Sequence, residues 1–277
     1  MSWLFVILNF ILILFIIYLL LCAGYFILHR FFILFPSRKL TLKPSDFQLK
    51  YEDVFFKTRD NVKIHGWFIE GSTGEERKDT VFVLFPGNKG TISGFLEPMS
   101  YLAKSGYNVF LFSYRGFGRS QKKWPTENGV FRDSEAACEY LLRERDIPGK
   151  NIVFLGQSLG CAMAAHTSTL FDPAALIMEG AFPSVKEVAA RAVKWLPLKW
   201  LTTSRFDTKH YLGKVSCPVL ILHSREDRAI PLSDSNDLFN AVPGRKSRVL
   251  ISGPHAKGLV YDHEKYIYAV NQFLRII

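Results

Sequence analysis

The stretch NIVFLGQSLGCAMAAH, residues 151–166, decides the fold of this 277-residue chain. Its apolar start predicts a buried strand, and its small-residue end predicts a closely packed helix. Between them, Gly156 and Gly160 flank Ser158 in a G-x-S-x-G pattern. This pattern is typical of a sharp strand-to-helix turn that lifts a serine hydroxyl above the edge of a sheet. The two glycines are needed because a side chain at either position would collide with a neighbouring strand or helix. Since the pattern lies between a predicted buried strand and a small-residue helix, the sequence predicts Ser158 as a nucleophile.

Strand and helix patterns alternate along the rest of the chain. Strands are predicted over residues 51–58, 62–69, 80–85, 108–113, 151–155, 175–178, 218–223 and 248–251, and helices over 93–105, 131–144, 159–170 and 257–274. The first two strands flank a polar turn and predict an antiparallel hairpin. Buried strands that alternate with helices form a mostly parallel sheet covered on both faces, so the predicted fold class is α/β. Residues 182–213 are longer than a crossover needs and predict a short cap.

The N-terminal part of the chain predicts a membrane anchor. Trp3–Leu28 contains 26 residues without a charge. As a helix this run would be about 39 Å long, more than the hydrocarbon core of roughly 30 Å. It has no polar stripe of the kind a core helix shows, and it lacks the charged start of a cleavable signal peptide, which is the alternative. We predict a transmembrane helix with an interfacial segment over residues 1–35, a linker over 36–50 and the main domain over 51–277.

The chain is basic, with a formal net charge of +10 and a pI near 9.4. Lysine and arginine side chains follow the apolar run, whereas only the α-amino group precedes it. The positive-inside rule therefore predicts that the main domain is cytoplasmic. Basic charge also suits anionic lipid surfaces. Nucleic acid is the weaker interpretation because the sequence has no arginine-rich run with interleaved aromatics and no recognition-helix motif.

Cofactor and metal motifs are missing from the sequence. The four cysteines have no CxxC spacing, which argues against a disulfide framework or a zinc site and suits a reducing compartment. The glycine loop at residues 87–91 lacks the ending of a phosphate-binding loop, and the loop at 116–118 lacks the third glycine of a dinucleotide-binding motif. We therefore expect neither a cofactor nor a metal.

A serine nucleophile needs a base beside it, and histidine is the usual one. His255 is the best candidate among seven histidines because it follows the last predicted strand. Catalytic side chains gather at the carboxyl edge of such a sheet. The other histidines flank the membrane or lie in the hairpin, the cap, a buried strand or helices: His29, His65, His166, His210, His223 and His263.

The base in turn needs an acid that holds its tautomer and stabilises its charged form. Asp227 follows the predicted strand 218–223 at the same edge of the sheet. The order serine, acid, histidine along the chain is the one that this architecture requires. Glu226 is adjacent and Glu179 follows an earlier strand, so both remain alternatives.

Backbone N–H groups must stabilise the oxyanion that develops when the serine attacks. The nitrogen of Leu159, directly after the nucleophile, is one expected donor. The second is expected from Asn88, because residues 85–88 turn sharply after a strand and Gly87 allows a close backbone approach. An ordinary Pro-Gly turn is the alternative for that loop.

These motifs together resemble the α/β-hydrolase superfamily, and within it the membrane-anchored, small-cap branch that includes lysophospholipases and protein depalmitoylases. The resemblance runs from about residue 35 to the C-terminus and is carried by Tyr51-Glu52-Asp53-Val54, Gly66-Trp67, Pro86-Gly87-Asn88, Tyr114-Arg115-Gly116-Phe117-Gly118, the Ser158 turn, Arg205-Phe206-Asp207 and the Asp227 and His255 loops. It implies a triad of Ser158, Asp227 and His255, with Asn88 and Leu159 as oxyanion donors. Relatives often have histidine where Pro86 stands, but a backbone donor should survive this difference.

The resemblance and the triad predict hydrolysis of esters, thioesters or lipid-like acyl substrates through an acyl-enzyme. Trp195, Leu198 and Trp200 of the cap could line an acyl pocket, or they could simply pack the cap onto the sheet. A serine aminopeptidase is one alternative, with Glu179 or Glu226 holding a substrate amine. A catalytically silent, membrane-bound binding protein is the other.

Overall fold

The computed structural model describes residues 3–72 and 79–277, and its strands are arranged in two sheets. In chain order the strands are β1 (Phe35–Pro36), β2 (Tyr51–Lys57), β3 (Lys63–Ile69), β4 (Val81–Phe85), β5 (Lys89–Gly90), β6 (Asn108–Ser113), β7 (Ile152–Gln157), β8 (Ala175–Glu179), β9 (Val219–Ser224) and β10 (Lys246–Ile251). Eight of them form the central sheet in the order β10-β9-β8-β7-β4-β6-β3-β2, and β1 pairs with β5. The strands β2 and β3 are antiparallel and form the predicted hairpin.

Helices cover both faces of the central sheet and precede it at the N-terminus. They are α1 (Trp3–Leu28), α2 (Leu96–Lys104), α3 (Glu127–Glu139), α4 (Gly160–Ser168), α5 (Val185–Ala192), α6 (Leu198–Leu201), α7 (Thr208–Leu212), α8 (Leu232–Ala241), α9 (Gly258–Tyr261) and α10 (His263–Arg275). The short helices α5, α6 and α7 occupy the region predicted as the cap. This arrangement is the predicted α/β architecture.

The order in which the strands join the sheet reverses beside β4, and this reversal positions the functional site. The chain leaves β4 to form β6 on one side and then β7 on the other, and both neighbours are parallel to β4. In open α/β sheets, ligands bind at the carboxyl ends of strands at such a reversal, because the loops diverge there and leave a crevice. The loops after β4 and β7 contain Asn88 and Ser158, respectively.

Apolar side chains fill both faces of the sheet. One buried cluster includes Phe85 and Phe154, whose ring centroids lie 5.0 Å apart in an edge-to-face arrangement. A second cluster on the opposite face includes Phe82 and Tyr266. Strands buried on both faces explain the nearly continuous apolar runs that predicted them.

Two of the predicted helices differ most from the observed ones. The helix α3 begins four positions before the predicted start, because the side chain of Thr126 caps it by accepting a hydrogen bond from Gly129 N. The predicted terminal helix over 257–274 is instead the pair α9 and α10, with a break at Asp262. The side chain of Asp262 accepts a hydrogen bond from Ser252 N there, which joins the break to the loop after β10.

The segment predicted as a linker packs against the domain. Its strand β1 pairs with β5 in the loop after β4. Arg38 Nη1 donates to Ser120 O over 2.8 Å, and Ser93 Oγ donates to Leu42 O over 2.9 Å. The segment predicted to lie in the membrane interface also contributes to the domain, since Leu34 belongs to the buried core. Polar backbone groups in this segment find partners in the domain, so it does not act as a free spacer.

A buried arginine joins the β2–β3 hairpin to α3. The Nη1 and Nη2 atoms of Arg115 donate to the carboxylate of Asp60 in the hairpin turn, over 2.8 and 2.9 Å. Its Nε and Nη2 atoms donate to Asp133 of α3 over 2.9 and 2.8 Å. Burial raises the pKa of Asp133 to about 6, although the guanidinium opposes this shift. The tyrosine-arginine-glycine motif of the sequence is therefore a structural junction in this fold.

The helix α1 is long and apolar enough to cross a membrane, and it is the only such helix among the described residues. Most of its side chains are exposed. One face of its C-terminal half is different, because Tyr18, Cys22 and Tyr25 are partly buried and His29, directly after the helix, is buried. These positions follow the spacing of one helix face, and that face contacts the cap.

Candidate active site

The candidate nucleophile lies at a strained turn between β7 and α4. Ser158 has a φ of 53°, in the left-handed region that residues with a Cβ rarely adopt. Its backbone N–H donates to Glu179 O over 2.9 Å, which holds the turn against β8. Strain of this kind persists where the surrounding structure enforces it, and it often marks a functional site.

Both glycines of the turn are required by their surroundings. A Cβ at Gly160 would lie 1.9 Å from the carbonyl oxygen of Phe85, and one at Gly156 would lie 2.6 Å from the Cα of Cys161. Both obstacles are backbone atoms and cannot rotate away. The helix α4 can therefore approach β4 and β7 only because these positions have no side chain.

The three candidate catalytic side chains meet in series at the carboxyl edge of the sheet. Ser158 Oγ lies 2.8 Å from His255 Nε2, and His255 Nδ1 lies 2.6 Å from Asp227 Oδ2. The side chain of Asp227 is almost fully buried, whereas about a quarter of that of His255 is exposed (26%). A base with this geometry can take a proton from the serine hydroxyl and return it to a leaving group near solvent.

The local backbone keeps Asp227 ionised and fixes its orientation. Burial opposes its ionisation, but hydrogen bonds from His255 and from the N–H groups of Ile230 and Ala229 outweigh burial and lower its pKa. Both backbone groups donate to Oδ1, each over 2.9 Å. The other oxygen, Oδ2, is therefore left to accept the imidazole N–H of His255, which sets the tautomer.

The two expected oxyanion donors lie beside the nucleophile. Asn88 and Leu159 line the same cavity as Ser158. The carbonyl of Asn88 accepts a hydrogen bond from Phe35 N over 2.8 Å, so the β1 segment holds this loop in place. Leu159 immediately precedes α4, and the partial positive charge of that helix N-terminus favours an anion nearby.

The alternative acids serve other purposes. Glu179 is buried, and its carboxylate accepts hydrogen bonds from Gln157 Nε2 over 2.6 Å and from Gly258 N over 2.7 Å. Burial raises the pKa of this carboxyl group. Glu226 is exposed and accepts from Gly253 N over 3.3 Å. Neither carboxylate contacts His255 through a hydrogen bond among the described residues.

The chain resembles known hydrolases in sequence. A family model described as serine aminopeptidase, S33, matches residues 76–212. An uncharacterised protein of Mycobacterium tuberculosis is 30% identical over 246 residues, which cover 88% of this chain and 86% of that protein. The α/β-hydrolase domain-containing protein WAV2 of Arabidopsis thaliana is 29% identical, covering 86% of this chain and 83% of that protein.

The chain belongs to the α/β-hydrolase superfamily. The protein bem46 of Schizosaccharomyces pombe is 31% identical to this hydrolase over 222 residues. The match covers 76% of this chain and 72% of bem46. The structure of an esterase of Pyrococcus furiosus superimposes with a TM-score of 0.74 at 20% identity. The match covers 88% of this chain and 97% of that esterase. At this identity the structural likeness establishes the fold alone.

A cavity of about 400 Å³ connects the triad of the hydrolase to α1 and the cap. Its size is within the range of ligand pockets. Besides Asn88, Lys89, Ser158, Leu159 and His255, it is lined by Tyr25, His29, Phe32, Ile33, Phe182, Val185, Val188, Ala189, Ala192, Leu198 and Ile230. Most of these side chains are apolar, so the cavity suits an acyl chain.

The cap residues proposed from the sequence divide into two groups. Leu198 is buried and lines this cavity. Trp195 and Trp200 do not line it, and their side chains are 63% and 84% exposed. Their large size suggested a pocket wall, but α5 provides that wall through small and β-branched side chains, and the indoles point outwards.

A second cavity, of about 420 Å³, opens on the other side of the nucleophile. It shares Asn88, Lys89, Ser158 and His255 with the first, and its other side is formed by the loop around Lys257 and by residues 90–98. Among the described residues, no aspartate or glutamate lines either cavity. Both cavities are lined mainly by apolar groups; Lys89 lies at both of them and Lys257 at the second alone, and Ser158 and His255 lie between them.

Sequence reasoning missed the contribution of the N-terminal helix to the site. Tyr25, His29, Phe32 and Ile33 line the first cavity. The spacing of Tyr18, Cys22, Tyr25 and His29 was the available signal, since these residues form one face at the end of an otherwise uniform apolar run.

The described residues contain no group of three or more potential metal ligands.

Proposed function

We propose that this chain is a serine hydrolase, held at a membrane by α1, that cleaves acyl ester or thioester substrates. The observation that carries the proposal is the hydrogen-bonded series from Ser158 Oγ through His255 to Asp227, with distances of 2.8 and 2.6 Å. The series lies where the strand order of the sheet reverses, beside two cavities, and this position supports the same conclusion.

In the first half of the reaction, Ser158 Oγ attacks the acyl carbonyl carbon while His255 Nε2 takes the hydroxyl proton. The backbone N–H groups of Asn88 and Leu159 stabilise the negative charge on the carbonyl oxygen. His255 then gives its proton to the leaving alcohol or thiol, and an acyl-enzyme forms. Asp227 stays ionised throughout and stabilises the imidazolium.

In the second half, water replaces the leaving group. His255 takes a proton from the water, which attacks the acyl carbon, and the same backbone donors stabilise the second oxyanion. The proton passes from His255 to Ser158 Oγ as the carboxylic acid leaves. Because His255 is partly exposed, water from the second cavity can reach it.

The lining of the cavities favours esters and thioesters over aminopeptidase substrates. An aminopeptidase holds a substrate ammonium group, for which a carboxylate is the usual partner. The two candidates for that role lie elsewhere, since Glu179 is occupied by Gln157 and Gly258, and Glu226 lines neither cavity. Lys89 and Lys257 on the rim would repel an ammonium group.

Tethering by α1 would concentrate the enzyme where lipid-like substrates are found. The basic residues after the apolar helix support a cytoplasmic catalytic domain, and the net charge of +10 suits anionic lipids as partners. A protease-accessibility assay on sealed membrane vesicles tests the orientation. Digestion of the domain in right-side-out vesicles would contradict it.

A fluorophosphonate probe tests the nucleophile, because it reacts with activated serines. We expect labelling of the full chain in detergent, loss of labelling in Ser158→Ala, and normal labelling in the control Ser252→Ala, which alters an exposed serine outside both cavities. An unlabelled but folded wild-type protein would contradict an enzyme and favour the binding-protein alternative.

A substrate panel tests the bond that is cleaved. Acyl esters and thioesters of increasing chain length, lysophospholipids and aminoacyl amides would be compared by kcat/KM. We expect hydrolysis of the esters or thioesters and little hydrolysis of the amides. Faster cleavage of aminoacyl amides would favour the aminopeptidase alternative.

A further inference from the structure

The N-terminal helix is joined to the cap by specific hydrogen bonds. Tyr25 Oη lies 2.7 Å from Thr202 Oγ1. His29 Nε2 accepts a hydrogen bond from Thr203 N over 3.1 Å, so the ring proton is on Nδ1, which donates to Phe26 O over 2.9 Å. His29 and Thr202 are both buried. A helix that served only as a tether would need none of these contacts.

The same helix face forms one wall of the cavity that reaches the triad. Tyr25 of α1 lines it, as do His29, Phe32 and Ile33, which lie in and directly after the 3₁₀ turn (His29–Phe32) that continues α1, together with residues of α5 and α6. The catalytic Ser158 and His255 lie in the same cavity. A substrate chain in this cavity would therefore contact the membrane anchor at one side and the cap at the other.

The cap also presents a surface that suits the membrane–water interface. The indole of Trp195 lies against Tyr18 of α1, with ring centroids 6.4 Å apart. Trp195 and Trp200 are mostly exposed, and each follows an exposed lysine, Lys194 or Lys199. Tryptophan is enriched where membrane meets water, and lysine nearby suits anionic lipid headgroups. This surface continues directly from the apolar surface of α1, so the lipid bilayer is its natural partner.

From these contacts we infer that α1 is part of the acyl-binding site and that the acyl chain of a membrane-resident substrate enters from the bilayer between α1 and the cap. The inference rests on the proposed hydrolase function. It specifies the substrate class as long-chain acyl esters or thioesters that are themselves embedded in the membrane. A short, water-soluble ester needs only the part of the cavity next to Ser158 and depends much less on the anchor.

A pair of variants in the full chain tests this inference. Tyr25→Leu combined with His29→Leu keeps α1 apolar but removes its bonds to the cap, whereas Phe5→Leu with Phe10→Leu alters exposed positions far from the cap. The readout is the ratio of kcat/KM for a palmitoyl ester in phosphatidylcholine vesicles to kcat/KM for a soluble butyryl ester. We expect this ratio to fall by about tenfold in the first variant and to stay at the wild-type value in the second. An unchanged ratio in the first variant would overturn the inference.

The fluorophosphonate probe separates failure of the inference from failure of the proposed function. A wild type that does not react disproves the hydrolase itself, whereas a reactive wild type with an unchanged ratio disproves only the role of α1. Wild-type protein gives a second measurement that does not depend on the folding of a variant. A long-chain alkyl fluorophosphonate with a photoreactive group at its chain end should crosslink to residues 25–33 or to the cap residues facing them. Crosslinks confined to residues 90–98 and Lys257 would place the chain in the second cavity and overturn the inference.

Discussion

Replacement of Asp227 by asparagine provides a sharp test of the triad, because the structure predicts which way the new amide must point. At present Oδ1 accepts hydrogen bonds from Ala229 N and Ile230 N, and Oδ2 accepts from His255 Nδ1. In Asp227→Asn, the amide oxygen must remain with the two backbone donors. The amide NH₂ group therefore faces His255 Nδ1, which has to become an acceptor.

This change of tautomer places the imidazole proton on Nε2, the atom that lies 2.8 Å from Ser158 Oγ. A protonated Nε2 cannot take the proton from the hydroxyl. In serine hydrolases with a Ser-His-Asp triad, this kind of substitution lowers kcat by about 10⁴-fold, which corresponds to roughly 5.5 kcal/mol of transition-state stabilisation. We expect a loss of that size in Asp227→Asn, with little change in the folded structure because the replaced group keeps its shape.

The assay is hydrolysis of a short-chain nitrophenyl ester by the full chain in detergent, together with the rate of fluorophosphonate labelling. Glu226→Gln is the matched control, since it neutralises the adjacent carboxylate, which lines neither cavity. We expect the control to keep the wild-type rate. If Asp227→Asn retained a tenth or more of the wild-type activity, or if the Glu226 variant lost as much, the assigned acid would be wrong.

Three further predictions concern the framework. Gly160→Ala should lower the midpoint of thermal unfolding and the rate of fluorophosphonate labelling, because the new Cβ would lie 1.9 Å from Phe85 O. The control Gly244→Ala should change neither, since the atom nearest to its new Cβ is 3.9 Å away. Arg115→Ala should lower the free energy of unfolding, measured by urea denaturation, by about 3–5 kcal/mol, since it leaves the buried Asp133 without its partner. Arg115→Lys should lower it less. Burial lowers the pKa of His166, so this side chain binds a proton more readily in the unfolded chain and favours unfolding as pH falls below about 6.5. In urea unfolding, the stability at pH 5.5 relative to pH 7.5 should therefore be lower in the wild type than in His166→Phe, since Asp133, whose raised pKa acts in the opposite direction, is common to both proteins. An identical pH dependence in the two proteins would contradict this prediction.

The sequence predicted the parts of the site that depend on local geometry or on the order of the strands. The turn at Ser158 is local, because glycine spacing and small residues determine how α4 leaves β7. Asp227 and His255 are distant along the chain, but each follows a strand of the same sheet. The carboxyl ends of parallel strands meet at one edge, so their proximity could be expected from the alternation of strands and helices alone.

Residues whose surroundings come from tertiary contacts could not be assigned in the same way. Trp195 and Trp200 are large and apolar, and such side chains in a cap could equally pack inwards or lie on a surface. Segment 36–50 looked like a linker because of its prolines and charges. Its partners, including the strand β5 and Ser120, are far away in sequence and have no pattern that identifies them.

The last turns of α1 contact the cap on one face only. A helix of 26 residues would be about 39 Å long, which exceeds the hydrocarbon core of roughly 30 Å and would require tilt. Tyr25 and His29 direct their polar atoms to the cap, where a helix surrounded by lipid could not satisfy them. On the proposed membrane anchoring, one face of these last turns therefore lies against the cap, while Phe26, Ile27 and Leu28 on the other side stay exposed. Composition alone could assign these turns to the membrane but not to the cap, because the partners of Tyr25 and His29 lie far along the chain.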